Sequence, residues 1–232
     1  MLTVDKLNQY YGESHTLWDL DLDVPTGRCT CVMGRNGVGK TTLLKAVMGE
    51  VAVASGSIRF AEEAELTKRR VEDRARMGIG YVPQGRQIFP LMTVEENLRT
   101  GLAARRDGKR NIPERVFELF PVLAEMKHRR GGDLSGGQQQ QLAIGRALVI
   151  EPRLLILDEP GEGIQPNIVT QIGGVIRKLI DEDGLTVLLV EQKLPFARKY
   201  ADGFVIMNRG RRLAKGDIGE LSNALIKEHL TV

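Results

Sequence analysis

The feature that most constrains the fold is a glycine-rich string between a predicted strand, residues 28–33, and a predicted helix, Lys40–Met48. The string runs from Gly34 to Thr41 and reads GRNGVGKT. Glycines let backbone N–H groups curl around phosphate oxygens without Cβ clashes, and the positive end of the helix dipole adds to the attraction. The order strand, loop, helix therefore predicts a phosphate-binding loop. Its binding positions are predicted to be Gly34, Asn36, Gly37, Gly39, Lys40, Thr41 and Thr42.

Two side chains of this loop have predicted roles toward a nucleotide. Lys40 is expected to reach the β- and γ-phosphates, and the Thr41 hydroxyl is expected to ligate Mg²⁺. The alternative is a glycine-rich turn that matches by chance, which we expect in about one chain in a hundred of this length. The flanking strand and helix favour the phosphate-binding loop.

The periodicity of the remaining chain predicts an α/β fold with a helical insertion. Further strands are predicted at residues 3–7, 17–24, 57–60, 79–82, 154–157 and 186–190. From about residue 85 to 150 the pattern becomes helical, with a capping box at Thr93 and Glu96, a helix opened by Pro113 and a further helix after Gly137. A helix at 168–180 and a hairpin formed by 204–207 and 212–214 complete the pattern.

A second motif follows the apolar run at residues 154–157, where Asp158 and Glu159 stand side by side. Asp158 is predicted to hold the Mg²⁺ shell, and Glu159 to polarise an attacking water as general base. The alternative is a pair of acids that merely caps the next helix. The presence of a phosphate-binding loop in the same chain favours the catalytic interpretation.

A third motif, Ser135-Gly136-Gly137-Gln138, opens a predicted helix and forms a second anion site. One nucleotide cannot use both sites of one subunit if Lys40 already holds its phosphates. A second copy could present this string to the γ-phosphate across a dimer interface. The alternative, a helix cap with a flexible approach, explains a serine and one glycine but not the full string.

With these three motifs in this order, the chain resembles the ATP-binding-cassette ATPases over essentially its whole length. The resemblance implies one α/β, P-loop nucleotide-binding domain over residues 1–232. That domain is expected to contain a core parallel sheet, an antiparallel β subdomain and a helical subdomain at residues 85–150. The resemblance also implies ATP hydrolysis, with ATP and Mg²⁺ as cofactors.

The resemblance assigns two further residues to the nucleotide site. Tyr11, just before Gly12, looks like the aromatic residue that stacks on adenine, and Tyr10 is a close competitor. Gln84 looks like the glutamine that touches Mg²⁺ and the attacking water. Gln84 begins the helical insertion, so it could link nucleotide state to the position of that insertion.

The resemblance also implies partners. Transmembrane permease subunits dock beside the segment after Gln84 in such proteins, which makes Ile88, Phe89 and Leu91 candidate contacts; burial in the core of the helical subdomain is an equally good explanation of each. A second ATP-binding subunit, identical or related, is expected to complete each site. The link to a solute-binding protein would be indirect, and the expected location is the cytoplasmic face of the membrane.

Two departures from the general family pattern affect these expectations. Gln192 stands where the family usually has a histidine, and a glutamine can hydrogen-bond a γ-phosphate but cannot become cationic. Residues 162–165, Glu-Gly-Ile-Gln, replace the usual Ser-Ala-Leu-Asp. Signalling between subunits through that aspartate therefore cannot be assumed.

The departures narrow the subfamily. Residues 190–192 and 163–166 resemble the importer ATPases for branched-chain amino acids and amides. The longer strings 7–12 and 191–198 resemble the urea importer most, so urea is the expected solute, with a branched-chain amino acid or a short amide as the alternative. This expectation is an association, because these strings lie outside the nucleotide site.

Composition excludes several other classes. The net charge is only +3 and the basic residues are interleaved with acids, which argues against nucleic acid as a partner. No apolar run approaches the ~18 residues that span a bilayer, and the N-terminus lacks the pattern of a signal peptide. Two rivals remain: a cassette ATPase without a membrane partner, and a small-molecule kinase, which would leave residues 134–138 unexplained.

Overall fold

The computed structural model describes residues 1–61 and 64–230 as a mixed α/β fold. Its strands are β1 Leu2–Tyr11, β2 Ser14–Val24, β3 Cys29–Met33, β4 Ser55–Phe60, β5 Ala64–Glu65, β6 Ile79–Val82, β7 Leu154–Asp158, β8 Thr186–Val190, β9 Gly203–Asn208 and β10 Arg211–Asp217. Its helices are α1 Lys40–Met48, α2 Val71–Arg76, α3 Val94–Thr100, α4 Glu114–Leu119, α5 Pro121–Glu125, α6 Gly136–Leu148, α7 Pro166–Asp183, α8 Leu194–Tyr200 and α9 Asn223–His229.

Two sheets organise the chain. The six-stranded sheet has the order β10-β9-β3-β8-β7-β6; its neighbours from β9 to β6 pair in parallel, and β10 joins the edge in antiparallel fashion. The four-stranded sheet has the order β2-β1-β4-β5 and is antiparallel. Because parallel strands end at the same edge, the loops after β3, β6, β7 and β8 all meet there.

Both faces of the six-stranded sheet are covered, which is typical of parallel strands such as β3, β7 and β8 that are buried along their whole length. One apolar cluster joins one face to the helices between β6 and β7 and to α7 and α8. Cys29 and Cys31 lie in this cluster as buried free thiols. The other cluster joins the opposite face to α1 and to the four-stranded sheet. The edge that carries the loops is thus fixed from both sides.

The helical insertion lies between β6 and β7, where the sequence placed it. The capping box of α3 is confirmed: the Glu96 N–H donates to Thr93 Oγ1 at 3.2 Å, and the Thr93 N–H donates to Glu96 Oε2 at 2.7 Å. Pro113 occupies the N-cap position, so α4 begins one residue later than predicted. Within the described residues, no helix combines the length and apolarity needed to cross a bilayer.

Candidate active site

The glycine-rich loop joins β3 to α1 in the arrangement that the sequence predicted. α1 begins at Lys40, and its N-terminal turn faces the loop. Gly34 has a positive φ of 155°, and a Cβ there would lie 2.5 Å from the Met207 carbonyl oxygen. A side chain at position 34 would therefore push the loop away from β9. The result is a closely fitted loop of backbone N–H groups at the end of the sheet.

Lys40 is buried within this loop. Its Nζ donates to the carbonyl oxygens of Gly34 at 2.8 Å and Arg35 at 2.9 Å. The same nitrogen lies 3.8 Å from Glu159 Oε1. Burial lowers the pKa of Lys40, and the Glu159 carboxylate opposes that shift. The lysine is held by weak carbonyl acceptors, which a phosphate group could replace with a stronger, charged one.

Thr41 and Asp158 meet at the start of α1 and the end of β7. Thr41 Oγ1 donates to Asp158 Oδ2 at 3.1 Å, and Asp158 is only 2% exposed. Burial raises the pKa of Asp158 to about 6, although the Thr41 hydrogen bond opposes the shift. A hydroxyl and a carboxylate are the hard oxygen donors that Mg²⁺ prefers, and the charge of a metal would offset the cost of burying this carboxylate. These residues therefore fit the predicted metal role.

Glu159 and Gln192 come together after β7 and β8. Gln192 Nε2 donates to Glu159 Oε1 at 2.5 Å and to Asn36 Oδ1 at 2.8 Å. The Glu159 N–H donates to the Val190 carbonyl oxygen at 2.9 Å, and its φ is +49°. A single neutral amide thus links the candidate base to the phosphate-binding loop. This contact needs no cationic residue at position 192.

Gln84 lies at the same edge of the sheet but has a partner that the sequence did not predict. Its Nε2 donates to Glu162 Oε2 at 2.8 Å. Its hydrogen bond goes to this carboxylate and not to Thr41 or Asp158. Glu162 stands where the family usually has a serine. No sequence signal could have revealed the contact, because the two residues are 78 positions apart.

Sequence reasoning also missed a role for Glu191. This carboxylate is buried, and its Oε1 accepts from the N–H groups of Gln192 at 2.8 Å and Lys193 at 2.9 Å. Burial raises the pKa of Glu191, and these two N–H groups oppose the shift. The carboxylate shapes the turn that carries Gln192. An acid directly after a buried strand was the only available signal.

The string 135–138 caps α6 and is separate from the phosphate-binding loop in its hydrogen bonding. The Gln138 N–H donates to Ser135 Oγ at 3.3 Å, and the Ser135 N–H donates to Gln138 Oε1 at 2.9 Å. A cavity of about 460 Å³ lies against this string and against residues 163–165. The string therefore caps the helix, as the alternative interpretation held. The cavity leaves the N-terminus of α6 accessible, so the cap does not exclude an anion there.

The two candidate aromatic residues end β1. Tyr10 stacks on His15 with ring centroids 4.0 Å apart, and His15 stacks in turn on Trp18 at 3.6 Å. Tyr11 pairs with Ser14 at the end of the hairpin and is 47% exposed. Its ring takes part in none of these stacks, which leaves a face available to a base. The preference for Tyr11 over Tyr10 as the residue that stacks on adenine stays a prediction.

A family model described as ABC transporter matches residues 17–162, a span that contains all three motifs. The chain belongs to this family. As an ABC ATPase it hydrolyses ATP and uses ATP and Mg²⁺ as cofactors. The roles of the individual residues described above stay predictions.

The curated relatives indicate which group within this family the chain resembles. The high-affinity branched-chain amino acid transport ATP-binding protein BraG of Pseudomonas aeruginosa is 44% identical over 212 residues, which cover 91% of this chain and 90% of that protein. LivF of Archaeoglobus fulgidus, also named for branched-chain amino acid transport, is 39% identical over 224 residues, covering 95% and 94%. The chain is thus similar to the branched-chain amino acid group that its sequence indicated.

Solved structures agree with the fold. An ATP-binding cassette of an ABC transporter in an ADP conformation superposes with a TM-score of 0.84 at 29% identity, covering 98% of this chain and 97% of that one. A dimeric cassette in a post-hydrolysis state, bound to ADP and Pi, superposes with a TM-score of 0.82 at 24% identity, covering 94% and 99%. The predicted α/β cassette fold is confirmed.

Proposed function

We propose that this chain is the ATP-hydrolysing subunit of an importer for branched-chain amino acids. The observation that carries the proposal is the meeting of Lys40, Thr41, Asp158, Glu159 and Gln192 at one sheet edge, in a chain similar to BraG along nearly its whole length. The proposal treats residues 1–232 as one ATP-binding domain whose helical subdomain spans about residues 85–150.

The chain's own residues divide the work of hydrolysis. Lys40 exchanges its carbonyl acceptors for the β- and γ-phosphates, and the helix dipole of α1 adds to the attraction. Glu159 takes the proton from the attacking water, and Gln192 holds the carboxylate in place through its amide. Thr41 and Asp158, with Gln84, would hold Mg²⁺, which would supply positive charge to offset the charge developing on the phosphate oxygens.

Two chains complete each site in this proposal. Ser135 and Gly137 of one copy contact the γ-phosphate held by Lys40 of the other. The support is the open N-terminus of α6, whose string 135–138 is hydrogen-bonded to itself and leaves a cavity beside it. The partner copy is identical in isolation, and is either identical or a related chain in the working complex.

The membrane partner is a pair of permease subunits that dock on the segment after Gln84. Leu91 is 82% exposed and Phe89 is 45% exposed, whereas Ile88 packs against the core cluster. The core explanation therefore holds for Ile88, and Phe89 and Leu91 are the better candidates for the contact. This docking would keep the chain at the cytoplasmic face of the membrane, with only an indirect link to a solute-binding protein.

Uptake by cells tests the solute. Urea was the first expectation from the strings at 7–12 and 191–198, but both curated relatives described above are named for branched-chain amino acids, so the proposal takes the alternative. In cells whose only copy of this chain is Glu159→Gln, we expect uptake of labelled leucine to be lost and uptake of labelled urea to persist. If urea uptake alone is lost, urea is the solute. If uptake of both urea and leucine persists, the proposed importer function is contradicted.

A further inference from the structure

Arg86 lies beside the N-terminus of α6 although it belongs to the segment that begins with Gln84. Its Nη1 donates to Gln139 Oε1 at 3.2 Å. A Cβ placed on Gly136 would meet both Nη atoms at 3.3 Å, and one on Gly163 would meet Nη2 at 3.7 Å. The guanidinium is thus in contact with the first turn of α6 and near the loop after Glu159. The missing side chain of Gly136 gives it room.

Among the described residues, no acidic side chain pairs with the positive charge of Arg86. In the part of the chain that the structure describes, Arg86 forms no ion pair; its side-chain partner is the neutral amide of Gln139. The N-terminus of a helix carries partial positive charge and favours anions, so a cation placed there is repelled. The only side-chain partner of this guanidinium among the described residues is an amide, so an anion bound here would offset the repulsion between the guanidinium and the helix end.

A separate observation also points to a ligand here. Gln141 is 2% exposed and lines the cavity of about 460 Å³ beside residues 135–138. Its Nε2 donates to Gln171 at 3.3 Å, but its Oε1 has no hydrogen-bond partner among the described residues. A buried polar atom without a partner is rare and needs an explanation. An anion offers no donor to this oxygen, but a water molecule in the cavity could donate one proton to it and the other to a bound anion.

We propose that Arg86 of one chain contacts the γ-phosphate of the ATP held by the phosphate-binding loop of a second chain. The inference rests on the two-chain site of the proposed function and adds a full positive charge to it. The backbone N–H groups of α6 and the Ser135 hydroxyl supply only partial charges. A guanidinium presents planar, fork-like donors that match phosphate oxygens, and it stabilises the charge of phosphoryl transfer.

The test separates binding within one chain from association of two. In a Glu159→Gln parent, which is expected to hold ATP without turnover, ATP affinity is measured by calorimetry at concentrations where the chain is single. MgATP-driven dimerisation is measured by sedimentation equilibrium. The variants are Arg86→Gln, which keeps a donor but removes the charge, and Arg86→Lys, which keeps the charge. Arg99→Gln removes an exposed charge from α3 and is the matched control.

We expect Arg86→Gln to change the ATP affinity of the single chain by less than about twofold. Dimerisation should weaken by roughly 10- to 100-fold, the range for the loss of a charge-assisted hydrogen bond. Arg86→Lys should lie between this variant and the parent, and Arg99→Gln should match the parent. Unchanged dimerisation of Arg86→Gln would overturn the inference. So would an equal loss in both Arg86 variants, because the effect would then come from packing against α6 and not from charge.

A free anion is the other source of the same chemistry. Inorganic phosphate is therefore titrated into the Lys40→Ala chain with and without Arg86→Gln. If phosphate binding depends on Arg86 and dimerisation is unchanged, Arg86 binds a free phosphate ion, and the proposed contact between chains is wrong. A parent that stays single in MgATP would contradict the two-chain site of the proposed function itself, whereas the other outcomes judge Arg86 alone.

Discussion

Replacing Asp158 by asparagine is expected to stabilise the chain at neutral pH when neither Mg²⁺ nor nucleotide is present. Burial raises the pKa of Asp158 from 3.8 to about 6, so above pH 6 the folded chain carries a buried charge that the unfolded chain exposes to water. Asparagine removes that charge. Its carbonyl oxygen can still accept the hydrogen bond from Thr41, so the packing is retained.

The magnitude follows from the shift in pKa. The folded and unfolded values differ by 6 − 3.8 = 2.2 units, which corresponds to about 3 kcal/mol at pH values above 6. Because the folded chain binds the proton more tightly, stability falls as the pH rises from 3.8 to 6. Below pH 3.8 both states are protonated and the cost disappears. The gain from Asp158→Asn should therefore be largest above pH 6 and vanish near pH 4.

Urea denaturation in EDTA at pH 7.5 and at pH 4 measures this gain. We expect Asp158→Asn to raise the free energy of unfolding by about 3 kcal/mol at pH 7.5 and by little at pH 4. Asp5→Asn on β1 is the control and should change it by less than about 0.5 kcal/mol. With MgATP added, the wild type should gain stability and the Asp158→Asn variant should gain less. A variant no more stable than the wild type at pH 7.5, or a gain independent of pH, would show that the buried Asp158 carboxylate does not carry this cost.

Three further predictions concern single side chains. Lys40→Ala should weaken MgATP binding by at least about tenfold in calorimetry, because it removes the buried cation of the loop; unchanged affinity would remove Lys40 from phosphate binding. Gln192→Ala should slow phosphate release less than Glu159→Gln does, because Gln192 only holds the Glu159 carboxylate in place. An equal loss of activity would make Gln192 a full catalytic partner. Arg74→Ala should lower the free energy of unfolding in urea by about 3–5 kcal/mol, because the fully buried guanidinium donates to four backbone carbonyls. Arg76→Ala, at an exposed position, should lower it by less than about 1 kcal/mol, and equal losses would contradict this prediction.

The sequence predicted best where local chemistry leaves few choices. The glycines of the loop, the apolar runs of β7 and β8 and the helix Lys40–Met48 each satisfy one strong local requirement, and the structure has them where predicted. β1 runs to Tyr11 and not to residue 7, because register shifts break its alternation after Val4. α2 was missed because six residues rich in charge show no apolar stripe, and the charge of Arg74 is buried.

The candidate site was predictable in its members but not in its contacts. Lys40, Thr41, Asp158 and Glu159 come together because β3 and β7 are parallel strands of one sheet, on either side of β8, and end at the same edge. The partners of Gln84 and Arg86 could not be predicted, because Glu162 and the first turn of α6 approach them only through the packing of distant elements. Periodicity reports which face is buried, and it carries no information about pairs of polar side chains across loops.

Phosphate release from MgATP by the purified chain, with no acceptor molecule present, measures ATP hydrolysis itself. We expect slow hydrolysis by the wild type. We also expect Glu159→Gln to bind ATP with similar affinity but to release almost no phosphate. Turnover of Glu159→Gln at the wild-type rate would contradict the assignment of the base, and no turnover by the wild type without an acceptor would contradict the ATPase itself.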